Sequence, residues 1–200
     1  MMPFALAPAR VALLSCVLTS SCYLGSARNI TPAELTKQGG WEVVRGVPEV
    51  RQVAREDCGA AALAMVLNYW GSSVTGDAIA TLLRPAREHG IAAARLREFA
   101  RHQGLQAFII QGSQADLQRE IERHRPILVG VVKRYILRSY PHYEVVVGIN
   151  RQRQRILTLD PAHGLRVNGW DDFTTEWANA GHLALVVFPR PPELSLLPLN

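Results

Sequence analysis

The chain has 200 residues, 48% hydrophobic and 20% charged, which suits one domain with a substantial core. Its net charge of +5 is carried almost wholly by arginines, with Lys37 and Lys133 the lysines, and acids are interleaved among them. Only Arg151, Arg153 and Arg155 form a dense group, in an expected hairpin turn, so the basic face with stacking aromatics that nucleic-acid binding requires is excluded.

Arg10 precedes an apolar run from Val11 to Leu18, which ends in the small residues Thr19-Ser20-Ser21. This is the anatomy of a signal peptide over 1–21, too short for a comfortable membrane span. Cleavage before Cys22 resembles bacterial lipoprotein processing, although Thr19 stands where a lipobox usually has leucine. Cys16 has Leu13 at that place but too short an apolar region before it. Lipidation of Cys22 is the expectation, with plain export as the alternative. An exported chain that loses Cys16 and lipidates Cys22 keeps Cys58 as a single free thiol, which marks it as reactive.

Residues 22–45 mix Gly, Ser, Thr, Asn and Pro around Gly39-Gly40 and read as a tether. A helix is expected from Cys58 to Trp70, with Asp57 as N-cap, Gly71 as stop, and Leu63, Val66, Leu67 and Trp70 on a core face. Asp77 reads as the cap of a short helix that Pro85 ends, and Ala93 to Gln103 as another, closed by Gly104. Phe108 to Ile110 reads as a short strand. Ser113 with Asp116 forms a capping box for a helix running to about Arg125.

The period then changes. Ile127 to Val132 is a continuous apolar strand, and Tyr143 to Ile149 and Arg155 to Leu159 are strands joined by a polar turn. Trp170 to Asn179 reads as a helix, Leu183 to Phe188 as a final strand, and 189–200 as a flexible tail. Helices followed by antiparallel strands give an α+β domain over 46–188.

Cys58 opens its helix, where the dipole favours the thiolate, and Gln52 six residues earlier is placed to donate to an oxyanion. Of the six histidines, His102 and His124 read as exposed, and His89 and His163 lie beside glycines in loops. His142 and His182 stand at the mouths of strands. A hairpin centred near position 151 sets His142 opposite Asp160, a carboxylate suited to fixing the imidazole tautomer. His182 has no such acid. Glu144 is a competing orienter that could instead line the cleft, while Asp57 beside a thiol would raise its pKa and reads better as a cap.

Gln52, then Asp57-Cys58-Gly59 and a helix ending in Tyr69-Trp70-Gly71, resembles the bacteriocin-processing cysteine peptidases, the papain-like peptidase family thirty-nine. The likeness continues at Gly104-Leu105-Gln106-Ala107, Arg125-Pro126-Ile127-Leu128-Val129, Pro141-His142-Tyr143 and Asp160-Pro161 with Gly164 beyond, covering about 47–188. The resemblance implies a papain-like fold, with the Cys58 helix packed on a mainly antiparallel sheet. It implies Cys58 as nucleophile, His142 as general base, Asp160 as orienter, and Gln52 with the Cys58 amide as oxyanion hole, with no cofactor or metal. Members of this group cleave peptides after double-glycine leaders. The membrane spans and Walker motif of transporter-fused members are not in this sequence. The expectation is therefore a stand-alone cysteine endopeptidase of the cell envelope, membrane-anchored through lipid at Cys22 and acting on a peptide or protein. The rival readings are another thiol acyl-transfer enzyme, an amidase or transpeptidase, and a non-catalytic lipoprotein that binds peptides or assists assembly.

Overall fold

A computed structural model describes residues 23–86 and 90–190; the expected signal peptide with Cys16, the lipidation candidate Cys22, His89, and the tail from 191 lie outside them. In chain order the elements are β1 (Arg28–Asn29), α1 (Pro32–Lys37), β2 (Glu42–Val43), a 3-10 turn (Arg55–Asp57), α2 (Cys58–Tyr69), α3 (Gly76–Leu83), α4 (Ala93–His102), β3 (Leu105–Gln111) and α5 (Gln114–Glu122). They continue through β4 (Ile127–Arg134), β5 (Ser139–Asn150), β6 (Arg155–Asp160), β7 (Gly164–Gly169), α6 (Trp170–Ala178) and β8 (Leu183–Pro189). The sheet runs β1-β7-β6-β5-β4-β8-β3 with antiparallel pairing, and β2 adds to the far end of β5. This is the expected α+β arrangement.

Alternating residues of the central strands point into two cores. Leu128, Val145, Leu157, Leu159 and Leu185 pack with α2 and α4 on one face. Ile127, Val129, Val146, Ile156 and Val186 pack with Leu117 and Ile121 of α5 and Phe173 and Trp177 of α6 on the other. The sheet is therefore covered on both faces, which is why β4 reads as an unbroken apolar run. Helix α2 is apolar all round, and every residue from Cys58 to Leu67 is buried, because it lies between the sheet and the α3 and α4 layer.

Several expectations are corrected. Thr75, whose hydroxyl accepts from the Ala78 amide, caps α3 in place of Asp77, which sits inside the first turn. The segment 23–45, read as a tether, is folded: β1 pairs with β7, β2 pairs with β5, and Ile30 and Val44 are buried. Its elements are too short and polar to stand alone, so tertiary pairing makes them. Strand β7 escaped the reading because Gly-Leu-Arg-Val-Asn-Gly has weak strand propensity, and full pairing with β6 holds it. The β5–β6 register also differs. A bulge between Val146 and Gly148 shifts it so that Val145 faces Leu159, and one further step sets Asp160 opposite Glu144. Gly148 at the bulge is required by packing, since a Cβ there would come within 2.9 Å of the Glu42 carbonyl oxygen of β2.

The first turn of α2 sits directly on β5. A Cβ at Gly59 would meet the Tyr143 ring at 3.1 Å and Leu96 at 3.3 Å. The Tyr143 hydroxyl is tied to the Ile91 carbonyl and Leu96 is fully buried, so neither neighbour can yield. Gly59→Ala gains about 1 kcal/mol of helix propensity but overpacks this contact at a cost of about 1–3 kcal/mol. Its Tm should fall in chemical or thermal melts, and Gly59→Val should fall further.

Candidate active site

The thiol of Cys58 stands at the N-terminus of α2, buried to 5% exposure and unbonded to another cysteine among the described residues. The 3-10 turn feeds directly into the helix. Asp57 was expected as the cap, but its carboxylate turns back to accept from the Ala54 amide at 3.0 Å and closes that turn. The Asp57 charge is thereby occupied by the loop carrying Gln52, away from a capping role.

Close packing of Gly59 on Tyr143 brings the helix start next to His142. The His142 ring is buried, and its Nε2 lies 2.8 Å from Asp160 Oδ1. Asp160 reaches it diagonally across β5 and β6, two positions from its facing residue, a distance that paired strands allow. The ring's other nitrogen, Nδ1, remains for the sulfur, and the nearby Cys58 side chain favours the charged form of the ring. Burial alone would disfavour the imidazolium, but hydrogen bonds to Asp160 and Cys58 outweigh it and push the His142 pKa up to about 10.

Asp160 is itself fully enclosed. Burial would raise its pKa, yet hydrogen bonds from His142, the Ala162 amide and His163 hold it well below the usual carboxylate range. The Ala162 amide donates to Oδ1 at 2.8 Å, and His163 Nδ1 and Arg166 Nη1 lie 3.0 and 3.3 Å from Oδ2. Sequence reasoning missed the last two. His163 was legible as the third residue after Asp160 beyond Pro161, the reach of an Asx-type turn. Arg166 lies on the unread β7. His182, the other candidate base, sits in a turn with its ring edge-on to Trp177.

Gln52 is tied to the same region, its amide donating to the Pro161 carbonyl at 3.1 Å. Its side-chain Nε2 donates to the Ala54 and Arg55 carbonyls at 3.1 and 3.3 Å, and Oε1 is buried without a partner. In this state the side chain braces the loop that leads into Cys58. Beside His163, a cavity of about 690 Å³ is floored by Val147, Leu157 and Leu159 and edged by Glu49 and Arg51.

The family model for the Peptidase C39 family matches residues 47–191. The chain belongs to the Peptidase C39 family. A lactococcin transport/processing ATP-binding protein, LcnC-like, of Lactococcus lactis subsp. lactis strain IL1403 is 28% identical over 142 residues, 70% of this chain. This chain spans 18% of that relative's length. Among solved structures, the peptidase domain of Streptococcus ComA, a bi-functional ABC transporter involved in a quorum sensing pathway, is 25% identical with a TM-score of 0.60. It is covered completely by 72% of this chain. A double glycine motif protease from an AMS/PCAT transporter, solved with its leader peptide, shares the fold at a TM-score of 0.57 and 24% identity, with 74% of this chain covering 97% of it.

Behind the His142–Asp160 pair, this C39 chain buries a second charged group. Lys133, 2% exposed, sets its Nζ 2.5 Å from Glu144 Oε1 and 2.8 Å from Glu176 Oε2. The Tyr23 hydroxyl donates to Glu176 Oε1 at 2.5 Å. Burial would lower the Lys133 pKa, but the two carboxylates raise it above the ordinary lysine value, so the ammonium stays charged. Glu144, His142 and Asp160 place ligand atoms within 4.8 Å of one another. That spacing alone would suit a cation, but Lys133 already neutralises Glu144 and the Asp160 oxygens are taken by hydrogen bonds. Glu144 is thus a partner of Lys133, and neither lines an open cleft. Lys133→Met would strand two buried carboxylates, at a cost of about 3–5 kcal/mol. Denaturant melts should report that loss, and Lys133→Met combined with Glu144→Gln and Glu176→Gln should recover much of it.

Proposed function

We propose that this chain is a cysteine endopeptidase of the cell envelope working through Cys58, His142 and Asp160. The observation that carries the reading is the buried 2.8 Å His142–Asp160 hydrogen bond beside a cysteine at a helix N-terminus. With its pKa near 10, the imidazole holds a proton at neutral pH, which suits it to steady the attacking sulfur and to protonate the departing amine. The sulfur attacks the scissile carbonyl carbon, and the carbonyl electron pair moves onto oxygen. Collapse of that oxyanion breaks the C–N bond, and His142 gives its proton to the departing amine. Water then attacks the thioester, His142 takes its proton, and the released carboxylate leaves the thiolate restored.

Asp160 holds the ring with Nε2 toward itself and stabilises its charge throughout. The oxyanion is received by the Cys58 backbone amide and by Gln52, whose amide must release one of the loop carbonyls it holds in the resting state. A peptide substrate is supported by the processing role in the lactococcal relative's name. Export and lipidation rest on the pattern of residues 1–22: Arg10, the apolar run, the small residues and Cys22.

Incubation with candidate envelope peptides, read by mass spectrometry, tests the chemistry. Wild-type protein should add water across a peptide bond, and Cys58→Ala should yield no product. Gln52→Ala should lower kcat by about 10²–10³ with little change in KM, as expected for one oxyanion donor. Cleavage that survives Cys58→Ala overturns the mechanism. Amine ligation in place of hydrolysis makes the protein a transpeptidase.

A further inference from the structure

The turn Tyr135-Ile136-Leu137-Arg138 that joins β4 to β5 is closed by the Tyr135 amide donating to the Arg138 carbonyl at 2.8 Å. Its central positions hold large aliphatic side chains where turns normally carry Gly, Asn, Asp, Ser or Pro. Leu137 is 88% exposed and Ile136 62%. Neither has a positive φ, so no backbone requirement selects them. Leu24, 49% exposed, lies at the base of the same turn, its amide donating to the Arg134 carbonyl at 2.9 Å.

Two further features say what covers this apolar tip. The stretch from Arg123 to Tyr143 contains no acid but carries Arg134 and Arg138 at the turn, and Arg55 stacks 4.3 Å over Tyr140 of the same hairpin. The chain outside the described residues also ends here. Tyr23 forms a bridge with Tyr135, its ring 5.4 Å from that ring, and its hydroxyl is tied to Glu176. Cys22 is the next residue, so at about 3.3–3.6 Å per residue an acyl group on it starts within two residues' reach of the turn.

We propose that Ile136, Leu137 and Leu24 insert into the interfacial layer of an anionic lipid bilayer, with Arg134 and Arg138 on its headgroups. Aliphatic side chains flanked by cations are what such an interface binds. The seat fixes the orientation of the enzyme. Tyr140, edge-on to His142 with ring centres 6.3 Å apart, lies on the same hairpin, so the active-site end faces the membrane. Peptides held at or leaving the bilayer are then the accessible substrates. The seat rests on the membrane anchorage proposed above and is independent of the thiol chemistry.

The full chain is reconstituted on phosphatidylcholine–phosphatidylglycerol vesicles, sedimented, and examined with Leu137→Trp against a Leu82→Trp control on the exposed side of α3. After subtraction of the wild-type signal, the Leu137→Trp emission should shift to the blue and be quenched by brominated acyl chains, more on anionic than on neutral vesicles. The Leu82→Trp emission should stay water-like. Ile136→Ser with Leu137→Ser should leave hydrolysis of a soluble peptide unchanged. Protein that sediments while the Leu137→Trp emission stays water-like and unquenched overturns the seat and assigns the tip to a protein or substrate. Protein that fails to sediment overturns both seat and anchor, whereas loss of peptide hydrolysis on Cys58→Ala still stands or falls alone.

Discussion

The hydrogen bond between His142 and Asp160 organises this molecule, because it holds a titratable ring and a carboxylate together where water cannot screen them. An enclosed charge is tolerated only when paired and hydrogen-bonded. The surrounding structure meets that condition from several sides. The chain after Pro161 returns the Ala162 amide and His163 to Asp160, and β7 adds Arg166. Arg166 in turn donates to the Ala27 carbonyl just before β1, which ties the N-terminal segment to the same carboxylate. The bulge in β5 and the close seat of Gly59 on Tyr143 set the positions of the ring, the carboxylate and the start of α2.

Lys133, Glu144, Glu176 and Tyr23 form a second enclosed charge cluster next to the first. Replacing such a cluster with apolar groups is often neutral for stability, so it is better understood as fixing one arrangement of β4, β5 and α6 than as strengthening the fold. Its outermost member, Tyr23, lies beyond the region that matches the C39 family. The N-terminal segment therefore connects the start of the described chain to the residues behind the proposed base. With the proposed membrane seat, anchor, hairpin tip and active site form one oriented unit.

Much of the candidate site was legible because the chemistry proposed for it uses few residue types. A cysteine at a helix start, a glutamine shortly before it, and a histidine and an aspartate at strand ends are visible in a linear sequence. The register that paired His142 with Asp160 was legible only roughly: a count centred near 151 placed them face to face, whereas the turn is centred further along the chain and, even after the one-residue step between Val146 and Gly148, the pairing sets Asp160 opposite Glu144 and leaves the contact with His142 diagonal. A bulge leaves no reliable trace in alternation. Strand β7, Arg166 and the folded segment 23–45 were not legible, because pairing with neighbours forms them and their own propensity does not. Lys133 could not be distinguished from a surface lysine, since its carboxylate partners lie 11 and 43 residues away in sequence. The length of β5 was underestimated for the opposite reason: Pro141 and Ser139 look like breakers but pair with β4.

The central claim is that Asp160 and Cys58 keep the His142 ring protonated through neutral pH. A group whose folded pKa is raised contributes stability that is complete below its unfolded value near 6.5 and is lost as pH climbs through about 10. Nitrogen-labelled histidine followed by NMR across pH measures this directly. His142 should titrate near pH 10 in the wild-type protein and fall toward 6.5 in Asp160→Asn. A wild-type ring that titrates near 6.5, or one indifferent to Asp160→Asn, would contradict the claim.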